Sequence, residues 1–134
     1  MLQQDARRSW LPWGLHWKGR IATGRGEFEE AKEVLTESLK LFQDNQDTSG
    51  KIRSLLAFSW LNAKQGFWEK AATLLAAEEL QREQESSPSP PDWKQEIEFI
   101  KSESRASLGD SEFTTAWAAG EKMNLEQAVA YARS

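Results

Sequence analysis

The sequence has no cysteine and a single histidine in 134 residues. Without cysteine there can be no disulfide and no thiolate metal site, and a reducing cytoplasm is the expected setting. With only His16, a histidine metal cluster or a Ser-His-Asp triad cannot be assembled. No metal and no cofactor are therefore expected. No apolar run approaches the ~18 residues of a membrane span. Residues 1 to 20 carry charges and prolyl-tryptophan turns instead of an apolar core, so no signal peptide is expected either. No stretch alternates with period two over a strand's length. The net charge is -4, which disfavours direct nucleic-acid binding.

What is present is tryptophan, seven in all, and a repeat. Gly26-Glu27-Phe28-Glu29-Glu30-Ala31-Lys32-Glu33-Val34-Leu35 returns as Gly66-Phe67-Trp68-Glu69-Lys70-Ala71-Ala72-Thr73-Leu74-Leu75, 40 residues on. Gly26/Gly66, Glu29/Glu69, Ala31/Ala71 and Leu35/Leu75 are identical, and the match runs upstream through Leu15/Leu55 and Ile21/Leu61. A period of this length marks stacked helical pairs. In each copy the glycine ends one helix, the aromatic opens the next, and the alanine lets the two backbones approach.

In chain order, residues 1 to 9 read as a frayed polar lead-in. A first helix is expected from about Pro12 to Thr23, with proline in its first turn. A second follows from Glu27 to Phe42, a third from Lys51 to Lys64 and a fourth from Trp68 to Gln84. Ser86-Ser87-Pro88-Ser89-Pro90-Pro91 reads as an extended loop. A fifth helix runs from about Asp92 to Leu108, where Gly109 stops it. A sixth carries Phe113 and Trp117, and Asn124 with Gln127 resembles a capping box for a last helix, Leu125 to Ala132. The expectation is one all-α domain, 1–134. Trp68, Trp93 and Trp117 are assigned to core packing. Two repeats are below the ~3 usually needed for a stable stack. An apolar face is therefore expected around Trp10 and Trp17, implying self-association through the first helix or further repeats upstream.

Reaction chemistry is hard to find. Gly19 to Gly26 has the glycines of a phosphate loop, but Arg25 and Gly26 stand where lysine and a hydroxyl residue belong. The acidic runs Glu27/Glu29/Glu30/Glu33 and Glu78/Glu79/Glu83 read as solvated helix faces. No enzymatic activity is expected.

The repeat resembles the tetratricopeptide repeat. Residues 12–45 and 52–85 fit its frame, with Gly19 on the first-helix glycine position and Ala31 and Ala71 on the second-helix alanine. Ser59 replaces that glycine in the second copy, Glu78 stands where a small residue is usual, and the period is 40 instead of 34. The longer period is similar to repeats at the carboxyl end of LuxR-type and maltose-regulator-type transcriptional regulators and signalling ATPases. So is the ordered tail from Leu108-Gly109-Asp110 through Trp117 and Gly120 to Met123-Asn124-Leu125. The resemblance implies a right-handed stack of helical hairpins, about seven helices, with a three-helix cap at 91–133. It implies a sensing or scaffolding arm of a bacterial regulator, without its ATPase and DNA-binding parts. Its groove positions fall on Trp13, His16 and Arg20 in the first copy and on Arg53, Leu56, Trp60 and Lys64 in the second.

Charge placement agrees with such a groove. Residues 6 to 26 hold Arg7, Arg8, Lys18, Arg20 and Arg25 without an acid, and residues 48 to 66 hold Lys51, Arg53 and Lys64 without one. Helix-end electrostatics accounts for Lys18, Arg20 and Lys64 but not for Arg53. The expected partner is a protein or peptide, acidic in character. The alternative is a small anionic or sugar-like effector stacked on the rings.

Overall fold

The computed structural model describes residues 2–134, with side chains from Trp10 onward; Met1, Arg7 and Arg8 are outside what is described in side-chain detail. All regular elements among these residues are helical: α1 (Leu2–Arg25), α2 (Phe28–Asp44), α3 (Thr48–Lys64), α4 (Trp68–Gln84), a 3-10 turn (Pro91–Trp93), α5 (Lys94–Glu121) and α6 (Leu125–Arg133). The chain is all-α, as its periodicity predicts. No helix among the described residues is long and apolar enough to cross a membrane.

The 40-residue period is visible in the backbone. α4 begins and ends 40 residues after α2. Gly26 and Gly66 have φ of 80° and 83°, in the left-handed region that glycine enters without steric penalty. The residues that follow, Glu27 and Phe67, have φ/ψ of -87°/70° and -86°/71°. Their amides donate to Ala22 and Asn62 carbonyls, at 2.9 Å in both copies. The turns after α2 and α4 also correspond. Gln46 and Ser86 take φ of 54° and 56°, and the Asp47 and Ser87 amides return to the carbonyls of Phe42 and Arg82. Two chemically different turn sequences thus close in one geometry, although the first leads directly into α3 and the second into an extended segment.

Successive helices pack as neighbours, α1 on α2, α2 on α3, α3 on α4 and α4 on α5, while α1 also touches α3, and α3 touches α5. The core runs along this line through Leu35, Leu39, Leu55, Leu74, Leu75 and Ile100, all fully buried. Each such side chain contributes about 2 kcal/mol. A Cβ at Gly19 would press on the Leu35 side chain and force it to shift, so glycine favours the close approach of α1 and α2. In the second copy Ser59 fits because its hydroxyl donates to the Ala71 carbonyl at 2.7 Å.

Two expectations are corrected. α1 starts at Leu2, not at Pro12, and the proline lies inside the helix. One proline removes one helical hydrogen bond, and the Pro12 carbonyl accepts the buried Ser38 hydroxyl at 2.7 Å, which ties this turn to α2. α3 starts at Thr48 because Asp47 caps it, its carboxylate accepting from the Gly50 amide at 2.9 Å. The expected fifth and sixth helices are the two limbs of α5, which folds back at Gly109 (φ 82°, ψ 161°). α6 returns against α3 and α4 and opens with the Asn124–Gln127 capping box.

Candidate functional site

Trp13, His16, Trp17 and Arg20 follow one another at i, i+3, i+4 and i+7 on α1, and so share a face. Arg53, Trp60 and Lys64 recur at i, i+7 and i+11 on α3 and share one as well. The proline-rich loop ends in the 3-10 turn, with Pro91 at its first position and the Trp93 amide donating to the Pro90 carbonyl. This turn delivers Asp92 and Trp93 across both faces.

Trp93 is fully buried and forms the hub. Its ring meets Trp60 edge-on at 5.7 Å and lies 6.1 Å from the His16 imidazole. The Arg20 guanidinium lies 4.0 Å above it and 5.1 Å from the Trp17 ring. Arg20 also binds the Asp92 carboxylate at 3.0 Å and Glu96 at 3.3 Å, and donates to the Asp92 backbone carbonyl. An arginine stacked on an aromatic face and forked onto carboxylates uses both properties of its planar head. An acidic partner for Arg20, as the sequence leads one to expect, is thus supplied by the chain itself, together with an aromatic face.

The remaining positions differ in burial. Trp13 is half-buried and packs edge-on against Phe42 at 4.8 Å. His16 is buried among three tryptophans, and its Nδ1 finds no hydrogen-bond partner among the described residues. Burial, then the nearby charges of Arg53 and Arg20, push its pKa down to about 4, so it is neutral at pH 7. Leu56 is fully buried in the core. With no exposed surface, it cannot line an open groove. Arg53 is half-buried and Lys64 exposed, and neither forms an ion pair among the described residues.

Sequence reasoning missed Glu78. Its composition places it in a solvated acidic run, yet it is fully buried. Arg82 Nε donates to its Oε2 at 3.1 Å, while its Oε1 has no partner among the described residues. Burial raises its pKa to about 7 against the pull of Arg82 and Arg53. The signal was in the sequence. Ala71, Leu74, Leu75 and Glu78 fall at i, i+3, i+4 and i+7, which puts the acid on the buried face. Arg53 is the common neighbour, since its charge acts on both His16 and Glu78.

A second surface lies away from this cluster. The two limbs of α5 enclose an open cleft of about 1180 Å³ floored by Phe99, Phe113 and Trp117. Lys101 lies 5.6 Å over Trp117, and Arg105 lies 4.7 Å over Phe113. Among the described residues no group of three or more acidic or histidine side chains is placed to hold a metal ion.

Comparison with known proteins gives a distant likeness. No protein-family model and no solved structure matches the chain. Among curated proteins, it is 26% identical over 130 residues to proteins named as HTH-type transcriptional regulators in Mycobacterium bovis and in Mycobacterium tuberculosis strains H37Rv and CDC 1551. The alignment covers 96% of this chain but 15% of the length of each of those relatives. The chain is therefore similar, along nearly all of its length, to a small part of much longer regulators.

Proposed function

We propose that the chain is a non-enzymatic interaction module, a tetratricopeptide-like arm of a bacterial transcriptional regulator that binds a protein or peptide partner in the cytoplasm. The recurrence of the hairpin turns at a 40-residue offset supports this reading most directly, because stacks of that kind present extended surfaces instead of a reaction centre. The distant likeness to transcriptional regulators supports the regulatory setting. Arg53, Trp60 and Lys64, aligned on α3, are then the residues that an acidic segment meets.

An arginine can bind a carboxylate bidentately, and each such contact at a partly wet surface is worth about 1 kcal/mol. Arg53→Glu combined with Lys64→Glu should weaken binding of an acidic peptide by on the order of a hundredfold, at ~1.4 kcal/mol per tenfold. Calorimetric titration with acidic peptides, run beside titration with small anionic and sugar metabolites, tests the proposal. Equal peptide affinity in the double variant refutes it. Saturable binding of a metabolite with no peptide binding favours the effector-arm reading instead.

A further inference from the structure

α1 carries an exposed apolar stripe that its own fold does not cover. Trp10, Trp17 and Ile21 are 72%, 47% and 53% exposed and fall at i, i+7 and i+11 with Gly14 between them, so they form one line along the helix. Beside that line run Leu11, Lys18 and Arg25. Lys18 has only a 3.8 Å contact to Glu30, and Arg25 has no ion pair among the described residues. Soluble monomers rarely expose apolar patches beyond a few hundred Å².

At the opposite end of the stack lies the α5 cleft. Its floor is aromatic, and its rim carries Glu98 and Glu121, which are exposed and form no ion pair among the described residues. The rim cations are already engaged, Lys101 with Glu79 at 2.8 Å and Arg105 against Phe113 and Asp110. The two features match in length. Gln95 to Ala106 along the cleft and Trp10 to Ile21 along the stripe each span eleven helical steps, or about 17 Å. They also match in charge, with Arg25 free and Lys18 only loosely paired beside the stripe, and free carboxylates on the rim.

We infer that copies of this chain stack head to tail, the α1 stripe of one seating in the α5 cleft of the next. This goes beyond the peptide-binding reading, since it uses the two ends of the stack and leaves the α3 surface free. The contact joins two different patches, so it is heterologous, and each added copy exposes the same two ends again.

Sedimentation velocity over a range from low to high micromolar protein tests it. The expected result for the unaltered chain is a mass that rises with concentration past the dimer without a plateau. Trp10→Glu with Ile21→Glu spoils the stripe at exposed positions, and Ser102→Arg with Ala106→Arg fills the cleft, also from exposed positions. Each variant, checked by circular dichroism to be folded, should be monomeric alone. An equimolar mixture should give a one-to-one heterodimer and nothing larger, because one intact stripe then meets one intact cleft. A monomeric parent chain overturns the inference and leaves the stripe to a preceding hairpin of a longer protein. So does self-association that survives the cleft variant, which would indicate stripe-to-stripe pairing, or a mixture that stays monomeric.

Discussion

His16 and Glu78 make opposite demands on pH. Burial and two arginines lower the His16 pKa from 6.5 to about 4, while burial raises that of Glu78 from 4.5 to about 7. Between pH 6.5 and 4 the unfolded chain protonates this histidine and the folded chain does not, so stability falls as pH falls. Between pH 4.5 and 7 the folded chain keeps a proton on this carboxyl that the unfolded chain has lost, so stability falls as pH rises. At ~1.4 kcal/mol per pKa unit, each effect amounts to roughly 3 kcal/mol over its full window. From pH 4.5 to 6.5 the two slopes cancel, and the pair leaves stability level. Removing one partner exposes the other. Relative to the parent, Glu78→Gln should lose roughly 3 kcal/mol on going from pH 7 to 4, and His16→Gln should gain a similar amount on going from pH 7 to 4.5. For a chain of this size that is on the order of 10 °C in Tm. Urea or thermal unfolding followed by tryptophan fluorescence, at dilute protein to avoid association, gives the difference curves. A flat curve for Glu78→Gln would show a carboxylate held ionised throughout by Arg82, and the reasoning from burial would be wrong.

Three further outcomes are expected. Arg20→Met should destabilise the fold by about 3 kcal/mol, because it leaves the Glu96 carboxylate without its cation and strips the Trp93 face; a double-mutant cycle with Glu96→Gln should show coupling above about 0.5 kcal/mol, and additive effects would contradict the clamp. Gly120→Ala should cost about 2 kcal/mol in denaturant titrations, since the new methyl would meet the Thr73 backbone carbonyl, which cannot swing aside. Asn124→Ala should remove about 1 kcal/mol by opening the capping box, and Asn124→Asp should restore most of it.

Much of the fold was legible because the relevant forces are local. The glycine turns, the Asn124 cap and the apolar spacing of α2 and α4 are written within a few residues of where they act. Pro12 misled the reading of α1 because a proline signal is local, while the contact of its carbonyl with Ser38 comes from a helix 26 residues away. The site was legible in its parts. Trp13, His16, Arg20 and Trp60 do gather on adjoining faces. Their occupant, Trp93, comes from beyond a proline-rich loop, and nothing in the repeat pattern brings residue 93 back to residues 16 and 20. Glu78 was hidden by composition, since three acids in six residues look like surface until the helical phase is counted.

The Arg20 clamp has a bearing on how long such a stack can be. In the 40-residue frame His16 and Arg20 correspond to Leu56 and Trp60. Asp92 and Glu96 reach back over α3 to find their cation on α1, two hairpins earlier. If one more unit were inserted after Ser87, every turn would still close with native chemistry. The third hairpin would then sit opposite Trp60 where it now finds Arg20, and two carboxylates would face an indole with no charge to meet them. The turns are indifferent to the number of units, but the clamp is not. It acts as a ruler that admits one spacing between the first helix and the last hairpin, and a lineage that lengthened this stack would have to move the arginine with it.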